Sequence, residues 1–427
     1  MQSEVRPASN PSAPQSRLAI LKIRNFRYYW GATITSLIGE HIEGVIRSWV
    51  VWEITGSVFW LSALIFIHWL PFTLFSLPAG MIADRVNRQR VMFWSEIFLA
   101  TAAFGMFITS YTGVINEYWL AGLLVIHAIP GPLANPCRQL FLHDMVGREN
   151  LMAGVSLTSS LRHATQSIGK PVGGLILATA GPAFGFLIDS LLFVPMIITL
   201  RFIIHVKQAE APADRRRPTF KQFMEGLKYI GKDRSILATI CLGVAPSTFV
   251  GNALVIFYLL YAEQVFQMKE TAYTLFLAAD GIGALVGVIL LVWIGNIAWK
   301  GKLLLLGVFG YSGFLIAFAV SRSFVLSLFL LFCFGICQVA VTAAATTMML
   351  TNAPSDKRGQ VMGVYNFGGL GLRVVNGPFF WAAHTIALAL VANPVTGVAI
   401  AVSSGAVMIA LLGLGVVKFL PGMQHQE

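Results

Sequence analysis

Ten ionisable side chains stand inside otherwise apolar stretches of this 427-residue chain: Glu40, His41, Glu43, Arg47, Arg162, His163, Lys170, Asp189, Asp280 and Arg373. Glu40, Glu43 and Arg47 follow i, i+3, i+7 spacing, so they share one face of a helix. Two kinds of chemistry are open to them. Glu43 and Arg47, one turn apart, can neutralise each other and leave Glu40 as the free acid. Alternatively the carboxyls hold protons: an acid out of water favours its neutral form, and an approaching cation reverses that preference. Glu40, Glu43, Asp189 and Asp280 are the candidates for such proton exchange. Asp189 also has a simpler reading, as partner of Lys170 or Arg162. His41 and His163 are of a type that titrates near neutrality, although a lone histidine in such a setting more often only satisfies hydrogen bonds.

The elements that must position these groups follow from composition. The chain is 56% hydrophobic and 11% charged, against roughly 25% charged in soluble domains, which indicates an all-α polytopic membrane protein. A bilayer core needs about 20 apolar residues per helix. Twelve stretches have that length: 28–52, 58–80, 91–111, 118–141, 151–180, 183–206, 236–262, 271–295, 302–321, 324–350, 360–386 and 394–418. Charges at the middle of such spans are expensive and must face protein or water.

Lys and Arg gather in alternate loops: Arg17, Lys22, Arg24 and Arg27, then Arg85, Arg88 and Arg90, then Arg148, Lys300 and Lys302, and Lys357 and Arg358. The opposite loops hold only Lys269 and Arg322. By the positive-inside rule both termini face the cytosol. The net charge of +11 is thereby a matter of membrane orientation, and nucleic acid is not expected as a partner. The start, "MQSEVRPASNPSAPQSR", lacks the apolar core of a secretory signal and reads as part of a disordered tail, 1–25. The break at 207–235 divides a first six-helix half, 26–206, from a second, 236–418, with a cytosolic tail at 419–427. Within the break "FKQFMEGLKYI" has the pattern of an amphipathic helix on the inner membrane surface. "RENLMAGV" and "KRGQVMGV", six spans apart, echo a parallel repeat of the two halves. Cys137, Cys241, Cys333 and Cys337 lie in apolar runs without metal or disulfide spacing, and packing is their expected role.

Between spans two and three stands "GMIADRVNRQR", which resembles the signature loop of the major facilitator superfamily. Gly80 would let the helix end pack closely, Asp84 would sit at a positive helix N-terminus, and Arg85, Arg88 and Arg90 would meet carboxylates and anionic lipid. Asn87 replaces the usual glycine of the turn and tolerates a left-handed conformation. "NFRYYW", "WVVWEITGS", "ANPCRQLFLHDMVGRENLMAGVSLTSSL", "EGLKYI" and "DKRGQVMGVYN" resemble, in order, the branch containing the enterobactin exporter and macrolide efflux proteins. Span five, "SIGKPVGG", departs from that branch: Lys170 takes the usual proline position, Pro171 follows, and Gln166 replaces an arginine. Gly169, Gly173 and Gly174 retain a small packing surface.

The resemblance implies twelve transmembrane helices in two halves that rock between inward-open and outward-open states. It also implies a drug or metabolite exporter, driven by proton antiport, in the bacterial inner membrane. Glu40, beside Gly39, matches the family's acidic position, and the first span of each half would line the central cavity. Four membrane cations, Arg47, Arg162, Lys170 and Arg373, balance four acids. Such a cavity suits an anionic or zwitterionic substrate, for example a siderophore, better than a lipophilic cation. Trp49 and Phe367, with Trp30, Phe249, Tyr258 and Trp381, are candidates for its apolar walls. An uptake symporter of the same fold and a non-transporting receptor are the alternatives. The sequence has no Walker loop, clustered metal ligands or nucleophile motif, so neither enzyme activity nor a cofactor is expected. The expected partners are a small molecule, protons and lipid, with the chain acting as a monomer.

Overall fold

The computed structural model describes residues 17–83, 85–202, 220–294, 299–354 and 357–419, and every regular element within them is helical. The first half contains α1 (Arg24–Thr55), α2 (Val58–Ala83), α3 (Arg88–Tyr111), α4 (Glu117–Ala128), α5 (Gly131–Leu192) and α6 (Val194–Phe202). After α7 (Phe220–Lys232) come α8 (Arg234–Phe249), α9 (Ala253–Gln264), α10 (Lys269–Ile294), α11 (Lys300–Val320), α12 (Phe324–Asn352), α13 (Arg358–Gly371), α14 (Asn376–Val391) and α15 (Pro394–Phe419). Among the described residues nine helical segments are long and apolar enough to cross a bilayer, and the bent pair α8–α9 makes ten. Two further helical stretches stand beside these. One is α1, made less apolar by its own charges, and the other comes from the break at Gly181 inside the 39-residue segment Ala164–Phe202.

The helix α5 holds the end of span four, all of span five and the start of span six, turning back twice at single glycines. Gly147 (φ 73°, ψ 173°) and Gly181 (φ 82°, ψ 171°) are its non-helical residues. A side chain at either φ would clash with its own backbone, so glycine is what permits these one-residue reversals. Gly154 then lies against Leu142 and Val146, and Gly185 beside Ile176, as expected of helices folded back on themselves.

The two halves meet through small residues. A β-carbon on Gly281 of α10 would collide with the Ser167 carbonyl oxygen, and one on Gly377 of α14 with that of Ser62. Thr73 donates across the same seam to the Gly371 carbonyl oxygen at 2.6 Å, and Tyr273 to that of Val45 at 3.3 Å. The Trp52 indole N–H also donates to the Glu263 carboxylate, joining the end of α1 to the end of α9. Close helix packing through glycine is the usual solution where lipid offers no hydrophobic drive between helices.

Two expected spans are broken. Span seven bends by 43° between α8 and α9, and span eleven passes through a 3₁₀ turn at Leu372–Val375. One residue links the breaks: buried Asn376 accepts from the Ala253 backbone N–H at 2.6 Å and donates to the Thr248 carbonyl oxygen at 3.2 Å. Hydropathy cannot see such a break, because backbone groups freed in one helix are paired by a side chain from another. Asn376→Ala should therefore cost about 1–3 kcal/mol by leaving buried backbone groups unpaired. Thermal unfolding in detergent checks this, and an unchanged midpoint would refute the role.

Residues 17–25, which fall within the expected disordered tail 1–25, are folded. Arg17–Lys22 forms a 3₁₀ helix, and Ile20 and Phe26 pack on Leu142 and Val146, since two apolar side chains are better buried there than left in water. Residues 1–16, the whole of 203–219 and the tail from 420 lie outside the described residues, as does Asp84. The amphipathic segment is α7; Ile230 packs in a cluster with Val361 and Val364 of α13, and the Lys357 ammonium lies 4.5 Å from the Tyr229 ring centre. Of the cysteines Cys137 is buried and Cys241 is exposed, so packing describes the first and not the second.

Candidate functional site

The charged stripe of α1 divides between two environments. Glu43 and Arg47 are 1% and 8% exposed and form an ion pair at 2.8 Å. They are enclosed by span six, whose Asp189 abuts Gly39 and whose Gly185 abuts Ile46. The shared helix face of Glu40, Glu43 and Arg47 is therefore not uniformly open: Glu43 and Arg47 are buried, whereas Glu40 is only half-buried. Glu43 lies about 60° round the helix from Glu40, enough to turn it from the cleft into the packing with span six. Glu40 and His41 are half-buried and have cationic surroundings. Arg138, Arg162 and Arg373 are within electrostatic reach of Glu40, and Lys170, Arg162 and Arg373 within reach of His41.

Three of the expected ligand-binding cations gather beside these residues. Arg162, exposed, and Lys170, half-buried, come from span five, and Arg373 comes from the 3₁₀ turn of span eleven. Arg373 donates from Nε to the Gly369 carbonyl oxygen at 2.8 Å, and its guanidinium lies 4.7 Å from the Trp69 ring centre. Arg162 reaches Asn135 at 3.4 Å. Lys170 lies within reach of Arg373 and of Asp280, which is buried beside Tyr258 and has Oδ1 without a hydrogen-bond partner among the described residues. The arrangement sets cations from both halves round one half-exposed acid, with Trp69 and Tyr365 nearby. Like charges this close repel one another, and an anion placed among them would relieve that repulsion.

The remaining candidates are placed differently. Arg47 is occupied by Glu43, and Trp49 is buried 6.0 Å from Tyr273 at the seam between the halves, so neither lines the cleft. Tyr258 is likewise fully buried, while Trp381 lies exposed with its edge on Phe59. Phe367, half-buried, remains a wall candidate. The expected pairing of Asp189 with Lys170 or Arg162 is absent: both its oxygens lack a hydrogen-bond partner among the described residues. Span five does pack through its small surface, with Gly169 on Ile38 and His41, Gly173 on Ile42, and Gly174 on Thr274. The side chains of His163, Arg148 and Arg358 lie outside what is described.

In the signature loop Arg88 is buried and bonds Asp144 at 2.5 Å, while Arg85 and Arg90 are exposed. Two expectations are corrected there. Asn87 is extended (φ −70°, ψ 104°) and caps α3 by accepting from the Arg90 N–H at 2.9 Å, because capping the helix satisfies an orphan donor that a left-handed turn would leave open. A β-carbon on Gly80 would meet no atom within 4 Å, so close packing does not explain that glycine.

Several polar groups were not anticipated. Glu96, fully buried, accepts from Ser36 at 3.0 Å and from Arg138 at 2.6 Å, joining spans one, three and four. His68 and His127 face each other across spans two and four with ring centres 6.0 Å apart, and both nitrogens of His127 lack partners among the described residues. A test for opposite charges in neighbouring spans would have found Glu96 and Arg138. They stand close enough to span ends to read as interfacial.

Residues 15–423 match the family described as Transmembrane secretion effector. Among curated proteins the Staphyloferrin A transporter of Staphylococcus aureus (strain NCTC 8325 / PS 47) is 25% identical over 50% of this chain; the match spans 56% of that relative, little more than half its length. The Enterobactin exporter EntS of Shigella flexneri is 23% identical over 82% of both chains. The fold resembles a bacterial homolog of the human lysosomal transporter Spinster, in an inward-facing and unoccupied conformation, with TM-score 0.67, 15% identity and coverage of 97% of this chain and 98% of that one. It also resembles a POT family transporter in complex with a thioalcohol-conjugated peptide, with TM-score 0.73, 10% identity and coverage of 94% and 96%.

Proposed function

The chain belongs to the transmembrane secretion effector family, within the major facilitator exporters, and from that premise we propose that it exports a small anionic or zwitterionic organic molecule by proton antiport. One observation carries the substrate class: Arg162 of the first half and Arg373 of the second lie within electrostatic reach of Glu40, and Lys170 within reach of Arg373 and of the adjacent His41. A ligand bearing carboxylates or catecholates would bridge the halves through charge-assisted hydrogen bonds, with half-buried Phe367 supplying apolar contact. The siderophore names of two relatives support the same chemistry. In this reading the protein is a bacterial inner-membrane carrier with both termini cytosolic, as the distribution of Lys and Arg between the loops favours.

Alternating access requires a seam that opens on one side at a time. Ser62–Gly377, Gly174–Thr274 and Trp52–Glu263 lie toward the end that this orientation makes periplasmic. Their tight contacts favour an inward-open state that receives cytosolic substrate.

The test is transport in liposomes with an imposed pH gradient, using enterobactin, a citrate-type carboxylate siderophore and a lipophilic cationic dye as probes. Gradient-dependent movement of a siderophore, with the dye excluded, is expected. Siderophore transport that persists unchanged after the gradient is collapsed would remove the antiport reading, and transport of the dye alone would remove the substrate class.

A further inference from the structure

The buried acid of span six is the feature that the cleft leaves unused. Asp189 is 0% exposed, and both its carboxylate oxygens lack a hydrogen-bond partner among the described residues. Its place is fixed by contact, since a β-carbon on Gly39 would stand 2.6 Å from Oδ1. No larger residue at 39 could admit the carboxyl group there. The charged groups within electrostatic reach are Glu43, Glu40 and Arg47, all on α1. On its other side Ser190 donates to the Ala100 carbonyl oxygen of α3 at 3.1 Å. That helix carries Glu96 one turn away, itself bound to Ser36 and Arg138. The Arg47 guanidinium is engaged by Glu43 at 2.8 Å.

An ionised carboxylate left buried without partners is strongly unfavourable, and a neighbouring acid makes it more so. The trio thus contains two carboxyls and one guanidinium, sealed from water, and is electrically balanced only with one proton added. We infer that Glu43, Arg47 and Asp189 form the coupling-proton site: in the conformation described, Arg47 balances Glu43 and Asp189 carries the proton.

Release of that proton leaves one uncompensated negative charge among the three side chains. The site accepts that charge if Arg47 turns toward Asp189 or water enters between spans one and six; His68 of span two and His127 of span four are further titratable groups in reach of Arg47. Either event requires span six to shift against the Gly39 and Ile46 contacts, so proton release is tied to conformation. Glu40 is differently placed. Arg138, Arg162 and Arg373 lie within electrostatic reach of it, which groups it with the substrate-binding cations. The division assigns the proton to the interior of the first half and the anion to the cleft.

This inference rests on the antiport reading, but it is tested without transport. Infrared spectra of the reconstituted protein at neutral pH report the carbonyl stretch of a protonated carboxylic acid directly. The band is expected in the wild type, absent from the wild type's Asp189→Asn counterpart, and retained in Glu40→Gln. Asparagine has the shape of the protonated acid, so D189N should fold. If it does not, isotope-labelled aspartate in an Asp280→Asn protein should shift the same band. A band unchanged by D189N, or one that shifts only with labelled glutamate, overturns the assignment. Such a result would leave the gradient-driven transport test untouched.

Discussion

Arg47→Ala should destabilise the protein by about 3–5 kcal/mol, the usual consequence of removing one partner from a buried ion pair. Glu43 would then be a buried carboxylate without a counter-charge, packed beside the acid of Asp189. The comparison that identifies the mechanism is the double variant Glu43→Gln with Arg47→Met. Removing both charges deletes the stranded anion together with the pair, so most of the lost stability should return. Unfolding in detergent measures both effects, and the deficit of the single variant should shrink under acidic conditions, where a protonated glutamic acid needs no cation. Equal destabilisation by the single and double variants would show that packing by the arginine stem, and not its charge, is what holds span one to span six.

The second large effect concerns Arg373. Arg373→Gln should raise the apparent KM for an anionic ligand by about tenfold or more. A charge-assisted hydrogen bond contributes about 1.5–3 kcal/mol, and about 1.4 kcal/mol is a factor of ten. Glutamine loses the cation over Trp69 and weakens the only cationic contribution to the cleft proposed from the second half. The maximal rate of exchange at saturating ligand should change less than the KM. A variant with unaltered KM for carboxylate and catecholate probes alike would separate Arg373 from substrate recognition.

Helix content was legible because apolar length is imposed by the bilayer and survives in sequence. The Glu43–Arg47 pair was legible for a similar reason, since a one-turn spacing fixes the geometry before any tertiary contact forms. What could not be read was which helix would cover a given face. The pair lies under span six because Gly39 and Gly185 admit close approach there, a property of two distant glycines and not of the charged stripe. The isolation of Asp189 follows from the same contact. The break between α8 and α9 was hidden by its remedy, because Asn376 lies more than a hundred residues away. Asp84, the most specific residue of the signature loop, falls outside the described residues and keeps its expected role only as a proposal.

The one-residue reversals at Gly147 and Gly181 have a mechanical consequence. Spans four, five and six are joined without slack, so each drags the next, and a displacement of span five must be carried by its neighbours almost undiminished. The second half is jointed instead, between α8 and α9 and at Leu372–Val375, and Asn376 makes those two joints act together. A stiff lever thus opposes a hinged one. When the seam opens, bending strain would concentrate in spans seven and eleven, and Arg373, seated on one of those joints, would be carried with them while Arg162 and Lys170 kept their spacing.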